Sequence, residues 1–468
     1  MLKAVAGLAG AVLTAVTSVS TQTSADWPAA TSEALRHFQA LVQLDTSNPP
    51  GHESRVADYL KRVLEGEGIP VTLAAQEPDR ANVLARLKGN GSKRPLLIMG
   101  HSDVVMVDAA KWTVPPFSAT RRDGYIYGRG TLDDKSNLTA ALMTMVMLKR
   151  TGVALDRDVI FVSEVGEEAS TGPGIEYLVA NRWSELDAEF CIAEGGGVRR
   201  LAGRPAVAAI ETTEKRPLGV ELVARGPAGH GSRPTRANAV VHLARAVAAL
   251  AAWQAPMRLN DTTRAYFQML AAASDPQSAA AYKGLFDPSR VDASLEWLAT
   301  NDPGNYSMVH TSISPTILQA GYQVNVIPSE ARATIDIRTL PDEDVPAFFE
   351  TLRRVIDDPT IEIVPTNKNL RPPAAPSRLD TPAYRAIEAA YRSNYGVPTL
   401  PYMLTGATDM AFLRARGMQC YGVGPMVDEE DAAKGFGPHG DQERILEEAF
   451  TRHVRFFFDA VRSIAAAP

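Results

Sequence analysis

Apolar residues along this chain recur in two rhythms. From Thr31 to Glu67 the spacing is helical, with Leu35, Phe38, Leu41 and Val42, then Val56, Tyr59, Leu60, Val63 and Leu64. A period of roughly 3.6 puts each set on one face of a helix. Asn48-Pro49-Pro50-Gly51 interrupts the run, so two helices are predicted. Short unbroken apolar runs then take over at Pro95–Gly100, Asp158–Ser163 and Glu189–Ala193. Their length and content predict buried strands. Strands and helices alternate to about residue 212, which predicts a βα-type sheet. Asn137–Arg150 is predicted as a helix, with Asp133-Asp134 just before its first turn.

The style changes at Leu218–Ala224. That strand, a long helix from Thr235 to Trp253, strands at Ser314–Ala320 and Ala331–Arg338, and a helix from Val345 predict a small α+β sandwich. Residues 256–310 are predicted as an extra helical stretch inside it. Pro372-Pro373-Ala374-Ala375-Pro376 reads as a linker. A helix at Pro382–Tyr395, a strand at Gln419–Gly424 and a last helix at Asp441–Ile464 follow. The fold class is therefore α/β. A larger domain over 26–213 and 367–468 has a central mixed sheet flanked by helices, and a smaller α+β domain over 214–366 is inserted into it.

Composition narrows the function classes. A chain of 468 residues, 45% hydrophobic and 22% charged, has ample core for two domains. The net charge of −6, with no basic run and no Gly-rich phosphate loop, argues against a nucleic-acid partner. The two cysteines, Cys191 and Cys420, each lie inside an apolar run and read as buried thiols rather than a disulfide. The first 25 residues read as a secretory leader. Lys3 begins it, Ala4 to Val19 is apolar, and Thr23-Ser24-Ala25 precedes a polar mature start at Asp26. The expected location is outside the cytoplasm, periplasmic or secreted. The apolar run is too short and Ala-rich for a stable membrane span, and no Cys there could carry a lipid.

Chemistry collects where the apolar runs stop. The first ends at His101-Ser102-Asp103, the second runs on to Glu167-Glu168, and the third ends at Glu194. Gly128–Lys135 carries Asp133-Asp134, and Gly437-Pro438-His439-Gly440-Asp441 lies near the C-terminus. In open α/β sheets, ligands bind beyond the carboxyl ends of the strands. Taken singly, each residue has an ordinary explanation: a hydrogen-bonded loop His, a helix-dipole partner, a solvated acidic pair, a turn residue. Taken together, two His and several carboxylates at strand ends suit a zinc site, read as a pair of zincs.

This joint pattern resembles the di-zinc peptidase family of aminoacylase, carboxypeptidase G, carboxypeptidase S and succinyl-diaminopimelate desuccinylase, peptidase family M20. Gly100–Val105 and Tyr127–Lys135 carry the resemblance most specifically, and it covers the chain from about Thr31 onward. It implies a zinc-peptidase-like catalytic domain with an inserted ferredoxin-like lid. It implies that Asp133 bridges two zincs and is joined to Asp134 by a cis peptide. His101 and Glu194 would complete one site, Glu168 and His439 the other. Glu167 matches the general base and Asp103 the residue that supports His101. His230 matches a lid histidine that stabilises the transition state, and Asn325 and Arg338 match lid residues that hold substrate. Zinc is the expected metal, two per chain, with Co2+ or Mn2+ as substitutes. One departure is Gly166, where relatives often carry an acidic residue before the Glu pair.

The residue types suit amide hydrolysis. Two zincs sharing a carboxylate can activate a water, a free Glu can move its proton, and Arg338 offers a planar fork for a carboxylate. The expected substrate is a small peptide or an N-acyl amino acid with a free carboxylate. Peptidase and N-acyl amino-acid amidase share the mechanism, so both readings stand at this point. A non-catalytic binding protein on the same fold would lack the base or a ligand, and neither is missing. Lid surfaces make the dimer in many relatives, so the resemblance offers a homodimer through the lid, while the 256–310 stretch is longer than a minimal lid needs and leaves the oligomeric state open. The remaining His residues (His37, His52, His242, His310 and His453) read as structural.

Overall fold

The computed structural model describes residues 25–366 and 370–467. The predicted leader, save Ala25, lies outside the described residues, as does the predicted start of the second catalytic segment at 367. The central sheet has ten strands. Its path runs Val71–Glu77, Arg80–Leu87, Val159–Glu164, Leu96–His101, Phe190–Ala193, Gln419–Gly422, Arg204–Glu214, Gly197–Leu201 and Met426–Asp428; Thr399–Leu404 pairs with Arg204–Glu214 off that path. Val159–Glu164, Leu96–His101, Phe190–Ala193 and Gln419–Gly422 are parallel neighbours, while the outer pairs are mostly antiparallel. Parallel strands point alike, so His101, Glu164 and the residues after Ala193 leave the sheet at one edge. Every residue of the Leu96–His101 and Val159–Glu164 strands is buried. That is why they read as unbroken apolar runs without alternation. Cys191 and Cys420 are register partners on adjacent strands, and both are free and buried.

Helices Trp27–Val42, Ser54–Gly66, Lys135–Thr151, Pro382–Tyr395 and Glu447–Ala465 cover one face of the sheet. The shorter Tyr177–Asn181, Trp183–Leu186 and Met410–Arg414 helices cover the other. Lys135–Thr151 is buried from Lys135 through Leu148, wedged between sheet and outer helices. A helix buried all round shows little amphipathic period. Gly152 ends it in the left-handed conformation at φ 62°.

The inserted domain is a four-stranded antiparallel sheet ordered Ser312–Ala320, Glu330–Thr339, Arg216–Arg225, Ile361–Pro365. Helices Ala239–Ala252 and Val345–Ile356 pack on it. The chain order βαββαβ is ferredoxin-like. Its first helix begins at Ala239, later than the expected Thr235, because Asn238 caps it by accepting from the Val240 N–H at 2.9 Å. The last helix begins at Glu447 instead of Asp441, because Arg444–Leu446 pairs as a strand with Tyr125–Tyr127. Two strands, Thr399–Leu404 and Met426–Asp428, carry no clear alternation and were not expected.

The 256–310 stretch is helical, as predicted. It contains Asp261–Ala273, Pro276–Gly284, Val291–Asn301 and Pro303–Met308. It packs against the larger sheet: Tyr266, Phe267 and Met308 form a cluster with Leu400 and Met403. The strand Thr399–Leu404 thus receives a cover for its apolar side chains. Among the described residues, no helix is long and apolar enough to cross a membrane.

Candidate metal centre and active site

Six of the expected residues meet at the carboxyl edge of the parallel strands. Asp133 stands between two imidazoles: His101 Nε2 is 2.9 Å from its Oδ1, and His439 Nε2 is 3.2 Å from its Oδ2. Glu194 Oε2 lies 3.7 Å from His101 Nε2, and Glu168 Oε2 lies 3.1 Å from His439 Nε2. His101, Asp133 and Glu168 have potential ligand atoms within 4.8 Å of one another, and so do His101, Glu167 and Glu194. The Asp133–Asp134 peptide is cis, as the resemblance implies.

Two buried carboxylates hold the segments that present these side chains. Asp103 Oδ1 accepts from the backbone N–H of Gly166 (2.9 Å) and Glu167 (3.2 Å). Its Oδ2 accepts from Glu168 N–H (3.2 Å) and from Asn48 Nδ2 (2.8 Å). The Glu pair is therefore pinned from beneath. His101 Nδ1 lies 3.0 Å from the Asp103 backbone carbonyl and 3.6 Å from its carboxylate. Asp103 thus supports the ring mainly through its main chain, while its carboxylate holds the Glu pair. Gly166 suits this turn: its φ is +83°, and a Cβ there would sit 2.2 Å from the Ser170 carbonyl oxygen. An acidic side chain in its place would not fit.

Glu443 does the same for the Asp133 segment. Its Oε1 accepts from the N–H of Leu132 (2.7 Å) and Asp133 (3.2 Å), and its Oε2 from Gly130 N–H (3.1 Å) and Arg129 Nη1 (2.7 Å). Glu167 has a cation of its own. Arg371 Nη2 donates to its Oε1 at 2.8 Å, and Arg371 Nη1 donates to Asp409 Oδ1 at 2.9 Å and to the Thr408 carbonyl. Sequence reasoning missed Glu443, Arg371, Asp409 and Asn48. None ends an apolar run, and Arg371 stands unremarked before a Pro-rich linker.

Protonation follows from burial and crowding. Burial pushes Glu167 up to about 8 against the pull of Arg371, and pushes Glu194 well up despite His101. Burial alone would lower His101, yet Glu194, Asp103 and Asp133 raise its imidazole well above its usual value. Hydrogen bonds to Asp133 and Glu168 raise His439 to about 10. Asp133, though buried, is held well below the usual carboxylate range by the two imidazoles. Buried carboxylates crowded in this way favour their neutral forms unless positive charge is set among them. Nitrogen and oxygen donors in this arrangement fit divalent cations, which would supply that charge.

The cluster opens into a cavity of about 1040 Å³. Asp133, Glu167, Glu168, Glu194 and His439 line it, with Arg338 and Arg371. Arg338 is half-buried, and its Nε donates to Asp336 Oδ1 at 2.9 Å. His230 and Asn325 are not among the lining residues. They sit together on the lid, where the Gly229–His230 strand pairs with Val326–Ile327 and the Gly231 N–H donates to the Asn325 carbonyl at 2.7 Å. His230 is exposed, and its Nδ1 lies 2.7 Å from Ser232 Oγ.

A mixed sheet with a His–carboxylate cluster at one edge and an inserted lid defines a hydrolase of the metallopeptidase and amidohydrolase class. Residues 97–463 match Peptidase family M20/M25/M40, and the chain belongs to that family. It is 29% identical over 378 residues to the N-fatty-acyl-amino acid synthase/hydrolase PM20D1 of Xenopus tropicalis, covering 79% of this chain and 72% of that protein. It is 27% identical over 383 residues to the probable carboxypeptidase S-like 2 of Dictyostelium discoideum, covering 80% and 72%. The solved structure of the M20 family metallo-carboxypeptidase Sso-CP2 from Sulfolobus solfataricus shares the fold. Its TM-score is 0.69 at 22% identity, covering 92% of this chain and 99% of that one. Human carnosine dipeptidase 1 shares it at TM-score 0.66 and 18% identity, covering 94% and 97%.

Proposed function

We propose that this protein hydrolyses the amide bond of N-acyl amino acids, and of small peptides of like shape, that end in a free carboxylate. The observation that carries this reading is Asp133 set between His101 and His439, with Glu194 and Glu168 on either side and Glu167 beside them. Relatives named for N-fatty-acyl amino acids support the acyl substrate. On this reading His101, Asp133 and Glu194 hold one zinc and Asp133, Glu168 and His439 a second, with cobalt or manganese able to stand in. When bound, such a pair lowers the pKa of a water towards neutral.

Glu167 takes the proton of the attacking water and passes it to the leaving nitrogen. The Arg371 guanidinium occupies one of its oxygens, which leaves the other to face the water. That pairing sets Glu167 apart from Glu168, which faces His439. Arg338 receives the substrate carboxylate in its fork. His230 donates to the developing oxyanion, and Asn325 beside it helps to hold the substrate. Both lie outside the cavity wall, so the reading requires the lid to close on the substrate.

The proposed assembly is a homodimer through the lid. The edge strand Ser312–Ala320 and the loop after it expose Ile317, Leu318 (64%), Tyr322 (83%) and Val324, an apolar edge suited to a second copy. The proposed location is outside the cytoplasm, with a mature start at Asp26. The function is tested by assaying the zinc-loaded protein on N-acyl amino acids and dipeptides, each as free acid and as amide. Free acids should be hydrolysed and amides poorly, with activity lost on chelation and regained with zinc. Equal cleavage of acids and amides, or no cleavage of any free acid, overturns the reading.

A further inference from the structure

A second cavity, of about 350 Å³, adjoins the first. Gly195 and Gly196, which follow Glu194 directly, line both. Its floor is one face of the Arg204–Glu214 strand. Val207 and Ala209 line it, alternating with Ala208 and Ile210, which are buried in the main core. Tyr402 lines it from the neighbouring strand, and Tyr266 and Met308 come from the 256–310 helical insertion. The insertion thus roofs a chamber that opens beside the metal centre.

The charged side chains on this wall already have partners. Arg199 pairs with Glu429. Asp302 accepts from the Tyr282 hydroxyl at 2.8 Å and from Asn305 Nδ2 at 2.6 Å. Beyond those pairs and Asn305, the side chains on the wall are aliphatic and aromatic, with the hydroxyls of Tyr266 and Tyr402 among them. In the first cavity, in contrast, Arg338 bonds Asp336 through Nε, so its Nη groups can meet a carboxylate, and Arg338 does not line the second cavity. The two cavities therefore sort a substrate by polarity, with a carboxylate end beside Arg338 and an apolar end under the insertion. Burying a carboxylate in the chamber would leave it without a free cation, whereas an aliphatic chain needs no partner and gains by leaving water.

We propose that this chamber binds the aliphatic acyl group of the substrate, and that the 256–310 insertion sets acyl-chain specificity. The proposal rests on the function given above. Val207, Ala209, Tyr266, Met308 and Tyr402 are its specificity residues, and none of them touches the reacting atoms.

The test uses the full zinc-loaded protein with N-acetyl-, N-octanoyl- and N-dodecanoyl-phenylalanine as probes. Wild-type kcat/KM should rise about tenfold or more from acetyl to octanoyl, since methylenes buried in an apolar pocket favour the longer substrate. Val207→Phe and Ala209→Phe fill the chamber from strand positions that accept an aromatic. They should flatten this rise, read as the octanoyl-to-acetyl ratio of kcat/KM within each variant. Tyr402→Ala should shift the preference towards dodecanoyl. A flat chain-length profile in the wild type overturns the proposal without any variant being needed. An equal loss on acetyl and octanoyl probes in the folded Phe variants also overturns it. Failure to hydrolyse any of the three contradicts the proposed function itself, whereas acetyl hydrolysis with a flat profile contradicts the acyl chamber alone.

Discussion

Two carboxylates that touch no candidate ligand side chain's metal-facing atoms do much to shape this site. Asp103 gathers the N–H groups of residues 166, 167 and 168, and Glu443 those of residues 130, 132 and 133. Charge-assisted bonds of this kind are stronger than neutral ones, so each turn is fixed before any metal or substrate arrives. The strand-end residues were legible because each stands where an apolar run stops. The partners of the turns were not, because Glu443 and Asn48 act on segments far away in sequence and follow no period. At this scale, Glu167→Ala should lower kcat by about two to four powers of ten with metal content near normal. Arg371→Ala should lower kcat with little change in KM, and Arg371→Lys should restore part of it, because the cation holds one oxygen of Glu167, the proposed base. Kinetics with metal analysis checks both. Loss of metal in Glu167→Ala, with Glu168→Ala keeping it, would exchange the roles of the two glutamates.

At the level of elements, long periodic segments were legible and their ends were not. Lys135–Thr151 was placed correctly although it is buried all round, because its length and apolar content outweigh its weak period. The Glu447–Ala465 helix lost its expected first residues to a strand whose partner, Tyr125–Tyr127, lies far back in the chain. These two helices meet at His453, whose ring Nε2 donates to Asn137 Oδ1 at 2.6 Å. Burial pulls its imidazole down to about 3, against an ordinary 6.5. The unfolded chain therefore takes up a proton below pH 6.5 that the folded chain refuses, so stability is present above that pH and lost as pH falls towards 3. At pH 4 the loss from this residue should be about 3 kcal/mol. His310, pulled by burial to about 4, adds to it in the same direction. Thermal melts between pH 7 and 4 should fall steeply in the wild type and less steeply in His453→Leu. An unchanged slope in that variant would remove His453 from the account.

For the whole molecule, the candidate metal centre is a product of chain topology. Residues 101, 133, 168 and 194 precede the inserted domain and residue 439 follows it, and only the completed fold brings them to one edge of the sheet. The alternation of strands and helices made that sheet legible, and the change of style near residue 218 marked the insertion. The packing of residues 256–310 on the larger sheet was not legible. Their amphipathic faces show that they must be covered, without showing by which surface, and the strand they cover, Thr399–Leu404, has little pattern of its own. Because the site exists only in the folded chain, bound metal should also stabilise the fold. The most direct test of this account is the number of metal ions per chain in zinc-equilibrated, desalted protein, counted by native mass spectrometry. The expected result is two per chain in the wild type and fewer than two in Asp133→Ala, since on the proposed reading one carboxylate serves both sites. A wild type that carries no metal, or an Asp133→Ala variant that keeps two ions, would contradict it.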